Sequence, residues 1–287
     1  MRPWGQVGST ETRAREGRWG VAMSSRGGDR FGELVALTGE VGDPGRDYVI
    51  LAEGNTSARI DDGSFWVKGS GVRLEHARAP EAFVAMRLEP LMAALRGEEA
   101  GEADLKRLLA DARVEGQEGG PPPSIETFMH AVCLAVGGAR LVAHTHPTAV
   151  NALLCARDAE ALYQGVVFPD EAVVCGPAAL FVPYGEPGLP LGRLLLARFE
   201  AFVAERGGPP RLVLLANHGI VALGGTAAEV AAITAMAVKA ARVRLGTLAA
   251  GGPRFLDAEQ AERLAGREDE RARLRRLASW PGEEPRR

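Results

Sequence analysis

Apolar residues recur along the chain with two periods, one typical of helices and one typical of strands. The segment FGELVALTGEVG, from Phe31, has apolar residues at helical spacing and ends at glycine. The next segments, YVILAEGNTSARI and SFWVKGSGVRL, favour strands, each interrupted by a glycine-containing turn. Residues 80–114 are predicted to be helical, and the Gly- and Pro-rich residues 115–123 are predicted to form a loop.

The second half of the chain continues this alternation. Ser124 is placed to cap a helix over residues 125–136, and the apolar segment ARLVAHTH then predicts a buried strand. A further helix begins near Pro147, and RLVLLANHG predicts an apolar strand that ends in polar residues. Thr226 and Glu229 form a capping-box pattern before another helix. Alternating strands and helices indicate a layered α/β fold.

Length and composition bound the domain organisation. The 287 residues, 46% hydrophobic and 25% charged, are ordinary for a globular protein and sufficient for a large core. Neither side of the 115–123 loop has enough elements to close a core alone. We therefore expect one domain over residues 29–250. A flexible N-terminal extension (residues 1–28) precedes it, and a charged helical C-terminal tail (residues 251–287) follows it.

Charge and cysteine usage exclude some classes of partner. The net charge of −3 argues against a nucleic-acid or anionic-membrane partner, since either would need a basic stripe. No apolar run approaches the roughly 20 residues of a transmembrane helix, and residues 1–28 lack a signal-peptide core. Cys133, Cys155 and Cys175 stand singly, which is typical of thiols in a reducing compartment. We expect a cytoplasmic protein.

Three of the five histidines lie at the ends of predicted strands. His144 and His146 are separated by one residue, so both imidazoles project from the same face of a strand. His218 ends a different apolar strand, and Gly219 after it allows the backbone to turn tightly beside a site. Three protein ligands with one open position are the usual set for a catalytic zinc ion. The pattern therefore predicts a metal site.

Other interpretations of these histidines remain open. Two histidines at a strand end can simply lie at the surface or have only some of their hydrogen bonds made. Three histidines at the ends of predicted strands together favour the metal site. His130 lies four residues after Glu126 and could form a helical ligand pair with it. A core or surface histidine is the preferred interpretation of His130, and His76 has no setting that suggests a ligand.

Two further residues are candidates for proton transfer. Glu126 lies in the first predicted helical turn after PPPS, where the helix dipole favours a carboxylate. It is a natural acid–base group beside a metal, although helix starts often carry an acid with no such role. Tyr184 occupies the Pro- and Gly-rich loop VPYGEPG, where its phenol could be presented to a ligand or be an ordinary loop residue.

Six short motifs, in order and spacing, resemble the class II aldolase/adducin family. They cover roughly residues 31–248 and are GNTSAR, KGSG, PSIETFMH, HTHP, VPYGEPG and NHG. The resemblance implies a single-domain, three-layer α/β/α sandwich around a mixed, largely antiparallel sheet. It also implies a homotetramer with active sites between subunits.

The resemblance assigns roles to residues of this chain. His144, His146 and His218 would hold zinc, or manganese or cobalt, and Glu126 would shuttle a proton beside the ion. Tyr184 matches a tyrosine that reaches in from a neighbouring subunit as proton donor. Positions that line the phosphate pocket in relatives correspond here to Gly54, Asn55, Ser70, Gly71 and Ser124. That pocket commonly has two successive serines, but here Ser124 is followed by Ile125, so one hydroxyl donor is missing.

These roles imply a metal-dependent lyase of carbohydrate metabolism that cleaves a ketose, such as a ketose 1-phosphate, by retro-aldol chemistry. Pentulose-phosphate 4-epimerase, sugar-phosphate dehydratase and decarboxylase activities use the same kind of site and remain alternatives. A non-catalytic, adducin-like structural module is a further alternative. Because it has no need for a metal site, the three histidines and Glu126 argue against it.

Overall fold

One mixed sheet organises the part of the chain that this computed structural model describes, residues 25–97, 102–116 and 120–278. Within these residues seven strands lie in the order β3-β2-β1-β4-β7-β6-β5. Only β5 and β6 pair in parallel, and the other neighbours are antiparallel. The strands are β1 (Asn55–Arg59), β2 (Ser64–Lys68), β3 (Phe83–Arg87), β4 (Leu141–Thr145), β5 (Leu180–Val182), β6 (Leu212–Leu215) and β7 (Gly219–Gly224).

Helices cover both faces of this sheet. They are α1 (Ser25–Val41), α2 (Leu88–Arg96), α3 (Glu102–Asp111), α4 (Thr127–Ala135), α5 (Thr148–Leu154), α6 (Pro169–Cys175), α7 (Leu189–Arg206), α8 (Ala227–Leu248), α9 (Ala258–Gly266) and α10 (Glu268–Ala278). Short 3-10 helices lie at Pro44–Arg46, Leu74–His76, Pro80–Ala82 and Ala161–Tyr163. No helix among the described residues is long and apolar enough to cross a membrane.

Alternation along the strands builds two separate cores. On β4, Val142 packs with α2, α3, α4 and α7, whereas Leu141 and Ala143 pack with α1, α5, α6 and α8 on the opposite face. Side chains along a strand point alternately to its two sides, so an all-apolar strand can serve both cores. Each fully buried Val or Leu contributes roughly 1.5–3 kcal/mol. The three-layer α/β/α fold with a largely antiparallel sheet is therefore confirmed.

Local boundaries differ from the sequence prediction in three places. Strand β3 lies inside residues 80–114, which were predicted to be helical, because its residues alternate between the two cores and pair with β2. Strand β1 begins only at Asn55, since Asp47 and Leu51 have left-handed backbone conformations that break the predicted strand before it. Helix α4 begins at Thr127, two residues later than predicted, with Glu126 at the N-cap.

The structure describes part of each end of the chain. Helix α1 begins at Ser25, within the segment predicted to be a flexible extension; residues 1–24 and 279–287 lie outside the described residues. The predicted charged tail contains α9 and α10, and Asp257 begins α9 with a capping box. Thr226 accepts a hydrogen bond from the Glu229 N–H (3.2 Å) and caps α8, but the Glu229 side chain accepts from the Gly225 N–H (2.8 Å), so only half of the predicted capping box forms.

Candidate active site

Strand β4 and the residue after it carry the first two histidines of the site. His144 and His146 share the sheet face of Val142, as alternation requires, and His144 is fully buried. Their Nε2 atoms are 2.9 Å apart, and their ring centroids are 4.7 Å apart. The Nε2 atoms of both rings therefore face a common point, where a single ion could contact both.

The tight connection between β6 and β7 brings His218 to the same place. Its ring centroid is 4.9 Å from that of His144 and 5.1 Å from that of His146. Asn217 takes the left-handed conformation (φ 54°) that turns the chain. A Cβ atom on Gly219 would lie 2.5 Å from the Thr145 carbonyl oxygen and 2.6 Å from His146 Cδ2. Glycine is therefore required here for close approach.

Glu126 completes a cluster of four side chains that could hold a metal ion. Its Oε1 atom lies 2.9 Å from His218 Nε2 and 3.3 Å from His144 Nε2. One donor atom from each of Glu126, His144, His146 and His218 lies within 4.8 Å of the other three. Three imidazole nitrogens and one carboxylate oxygen are a donor set that zinc and other first-row metals accept. The residues present fit a divalent ion.

Hydrogen bonds at the outer nitrogens orient two of the rings. His144 Nδ1 lies 2.9 Å from the Ile220 carbonyl oxygen, and His146 Nδ1 lies 3.1 Å from Glu53 Oε2. Because these oxygens only accept, each Nδ1 carries its hydrogen, and Nε2 of a neutral ring keeps a lone pair for an ion. Such outer partners fix the tautomer and raise the basicity of metal-binding histidines.

The charges in the cluster are strongly coupled. Burial disfavours ionised Glu126, but the positive charge on His144 and hydrogen bonds from His144 and His218 hold its pKa far below the usual range. Burial also disfavours charged His144, yet the Glu126 carboxylate outweighs it and raises the pKa of His144. Burial and the nearby His144 and His218 charges lower the pKa of His146 to about 3. The cluster is an environment that favours a cation beside an ionised carboxylate.

Behind Glu126 lies a buried polar network. Asn55 Nδ2 donates to Glu126 Oε2 (2.6 Å) and more weakly to Ser124 Oγ (3.4 Å). Asn55 Oδ1 contacts His130 Nε2, and His130 Nδ1 lies 2.7 Å from Ser57 Oγ. His130 is fully buried and lies outside the ligand cluster, so it does not form a ligand pair with Glu126. Burial lowers the pKa of His130 to about 3, with a smaller contribution from His144.

The glycine-rich turns predicted to bind phosphate lie around this network. Gly54 has φ 68°, and a Cβ atom there would lie 2.9 Å from the His144 carbonyl oxygen. The Ser70 N–H donates to the Pro122 carbonyl (2.8 Å), which joins the turn after β2 to the residues before α4. Ser70 is exposed, Gly71 has φ 76°, and Ser124 accepts from the Glu126 N–H (3.3 Å). The structure brings these turns together at one edge of the sheet.

Tyr184, a predicted site residue, and His76, which was not one, both lie outside the cluster. The Tyr184 side chain is 54% exposed, and its hydroxyl donates to Glu186 Oε1 (3.1 Å). This hydrogen bond raises the pKa of Tyr184. His76 is exposed, and its Nε2 atom lies 3.8 Å from Glu75 Oε1. Within one chain, therefore, Tyr184 is displayed at the surface.

Sequence reasoning overlooked Glu53 and Lys68. Glu53 directly precedes the GNTSAR motif, and Lys68 begins KGSG, so their positions beside motifs were the available signals. Lys68 is buried, and its Nζ donates to the carbonyls of Ala52 (3.1 Å) and Val72 (2.6 Å). Burial lowers its pKa to about 8 despite the opposing effect of the Glu126 carboxylate. Lys68 thus ties the loop that carries Glu53 to the turn after β2.

The three-layer fold and the histidine–carboxylate cluster together define an α/β protein with a candidate metal site. The sequence comparison makes the family plain. Residues 33–245 match the class II aldolase and adducin N-terminal domain, and the chain belongs to this family. No curated protein matches the chain by sequence.

Solved structures support the same fold. The N-terminal class II aldolase domain of a Thermoplasma acidophilum protein is 21% identical, with a TM-score of 0.60, and the alignment covers 74% of this chain and 92% of that one. YgbL of Escherichia coli, described as a candidate aldolase, epimerase or decarboxylase, is 21% identical, with a TM-score of 0.60. That alignment covers 82% of this chain and 97% of YgbL. An L-fuculose 1-phosphate aldolase is 20% identical, with a TM-score of 0.61, and the alignment covers 85% of this chain and 96% of that one.

Proposed function

We propose that this protein is a cytoplasmic, metal-dependent aldehyde-lyase that cleaves a ketose 1-phosphate by a retro-aldol reaction. The observation that carries the proposal is the convergence of His144, His146 and His218 on Glu126, whose second oxygen is held by Asn55. A structural module would gain nothing from burying this costly cluster. Zinc is the proposed ion, although manganese and cobalt also accept such ligands.

In the proposed reaction, the bond between carbons 3 and 4 of the ketose breaks. His144, His146 and His218 would hold a divalent ion, whose positive charge would stabilise the enediolate left on carbons 2 and 3. Glu126, which is ionised in the resting site, takes up a proton from water and delivers it to carbon 3. The carbon 4 hydroxyl loses its proton as this group becomes the aldehyde; Tyr184 of a neighbouring subunit takes up this proton while its own hydroxyl proton passes to Glu186. This role requires an oligomer, for which we propose a homotetramer.

Phosphate binding is proposed for the turns at the same edge of the sheet. The backbone at Gly54-Asn55 and at Ser70-Gly71, together with the Ser124 hydroxyl, would surround the phosphate. Ile125, 44% exposed, stands where relatives commonly have a second serine and offers no side-chain donor. A missing hydrogen bond to a charged group costs about 1.5–3 kcal/mol, so we expect phosphate binding to be weakened without being lost.

The test is a screen of ketose 1-phosphates with release of dihydroxyacetone phosphate as readout. We expect cleavage of at least one sugar by metal-loaded protein. Glu126→Gln should keep its fold but lose on the order of 100-fold or more in turnover, because a positioned general base is removed. Glu81→Gln, a surface carboxylate outside the cluster, serves as the matched control. Conversion without released dihydroxyacetone phosphate would indicate an epimerase, dehydratase or decarboxylase and overturn the lyase proposal.

A further inference from the structure

A continuous chain of hydrogen bonds runs behind Glu126, away from the cluster. It passes from Ser57 through His130 and Asn55 to Glu126 Oε2. Ser57, His130 and Asn55 are all at most 2% exposed. The β1–β4 register places Asn55 directly opposite His144 and Ser57 opposite Val142, so this polar chain lies on the sheet face that carries the cluster.

Chemistry fixes the direction of every bond in this chain. Ionised Glu126 can only accept, so the Asn55 amide nitrogen must face it and Asn55 Oδ1 must face His130. His130 Nε2 must then donate its hydrogen to Asn55 Oδ1. If the ring is neutral, His130 Nδ1 has the lone pair and accepts from the Ser57 hydroxyl. One His130 tautomer satisfies all three bonds.

We propose that His130 is a positioning residue that fixes the Asn55 amide and thereby holds Glu126 in its reactive orientation. This inference rests on the proposed function, in which Glu126 moves the proton. Without the His130 N–H, Asn55 Oδ1 loses its donor, and fewer contacts oppose a rotation of the amide that would bring its oxygen towards the carboxylate. Two acceptors would then face each other, and the carboxylate would lose its donor at Oε2.

The proposed role differs from that of a buried polar residue that only stabilises the fold. The His130 side chain contacts no ring nitrogen of the predicted ligands, and within the phosphate turns it contacts only the Asn55 side chain, whereas the proposed phosphate contact there is the backbone. Its loss should therefore change proton transfer more than substrate binding. Glutamine can replace both of its contacts, with an amide N–H towards Asn55 and a carbonyl oxygen towards Ser57. Leucine fills the space but supplies neither contact.

The first test measures the His130 tautomer and the protection of the Asn55 amide hydrogens, and it does not depend on enzymatic activity. NMR of the full chain labelled with ¹⁵N-histidine, at pH 7, should show His130 as the neutral Nε2–H tautomer, identified by the signal missing from His130→Gln. The Asn55 side-chain amide hydrogens should exchange slowly with solvent in the wild type and in His130→Gln, and rapidly in His130→Leu. An Nδ1–H tautomer would overturn the proposal, as would equal amide protection in all three proteins.

The second test follows exchange of a carbon-bound hydrogen of dihydroxyacetone phosphate with D₂O, which reports proton transfer by Glu126. His130→Leu should lower kcat for exchange about 10- to 100-fold, the range usual for partners that orient site residues, and leave KM little changed. His130→Gln should recover most of this loss, and Ser57→Ala should show an intermediate one. Equal losses in His130→Leu and His130→Gln would reduce His130 to a packing residue.

A failure of the proposed lyase function can be distinguished from a failure of the proposed positioning role of His130. If wild-type protein releases no dihydroxyacetone phosphate from any ketose and exchanges none of its hydrogens, the proposed function fails. In that case the tautomer and the amide protection still decide whether His130 fixes Asn55. If His130→Leu does not fold, His130→Gln and Ser57→Ala provide the comparison.

Discussion

Two histidines of the cluster have one ring nitrogen that faces its centre and another held by an acceptor. For His144 that acceptor is the Ile220 carbonyl, which comes with the pairing of β4 and β7. For His146 it is the Glu53 carboxylate, which comes from a loop and has no equivalent in the sheet. The His146 orientation therefore depends on one side chain that substitution can remove.

Glu53→Gln should weaken metal binding about 10- to 100-fold while the fold is kept, because the neutral amide makes the ring a poorer ligand. A titration against a competing chelator measures this affinity. Glu75→Gln, a half-buried carboxylate beside His76 and outside the cluster, provides the control and should bind metal as the wild type does. Unchanged affinity in Glu53→Gln would show that the Glu53 contact does not tune the site.

The lowered pKa of His130 predicts an acid-sensitive contribution to stability. In the unfolded chain His130 titrates near 6.5, and in the folded protein its pKa is about 3. Its contribution is therefore fully present above about pH 6.5 and is lost as the pH falls towards 3. Urea unfolding gives the free energy of unfolding of wild type and of His130→Gln at each pH. Between pH 7 and pH 5, the wild type should lose about 2 kcal/mol more of this free energy than His130→Gln does. A constant difference would contradict the lowered pKa.

At the scale of elements, the tight turn between β6 and β7 matters most for the site. Gly219 has no room for a side chain, since the Thr145 carbonyl and the His146 ring occupy the space. Gly219→Ala should cost about 1–3 kcal/mol, the usual range for overpacking, and lower metal content because His218 is displaced. Gly208→Ala, where nothing lies within 4 Å of the added atom, is the control. Denaturant unfolding and metal analysis of both variants test this.

Strands with a clear local pattern of apolar residues were predictable from the sequence. Strands whose conformation depends on partners distant in the sequence were not. Apolar runs before His144 and before Asn217 predicted β4 and β6, and alternation along a strand predicted the common face of His144 and His146. Strand β3 was missed because its partner β2 and the two cores, and not local propensity, determine its conformation. The Glu53 contact was missed for a related reason: no spacing rule connects a loop carboxylate to a ring 93 residues away.

At the scale of the whole molecule, a single chain leaves the proposed proton acceptor outside the site. Tyr184 is exposed, with a hydroxyl bonded to Glu186, while Glu126 is enclosed by α4 and the sheet edge. Ile50 and Leu51 are also exposed, 64% and 71%, on the loop that leads to Glu53. An assembly that places Tyr184 of one subunit over the Glu126 of another would account for the exposed tyrosine.

Mixing two inactive variants tests this arrangement directly. Tyr184→Phe and Glu126→Gln should each lose most activity, because each lacks one proton-transfer group. If every site uses Glu126 from one subunit and Tyr184 from its neighbour, random mixed oligomers regain both groups at about a quarter of their sites. Activity should therefore return after the two variants are unfolded, mixed and refolded together, and light scattering should report a tetramer. A fully active monomer, or a mixture as inactive as its parts, would show that Tyr184 does not act between subunits.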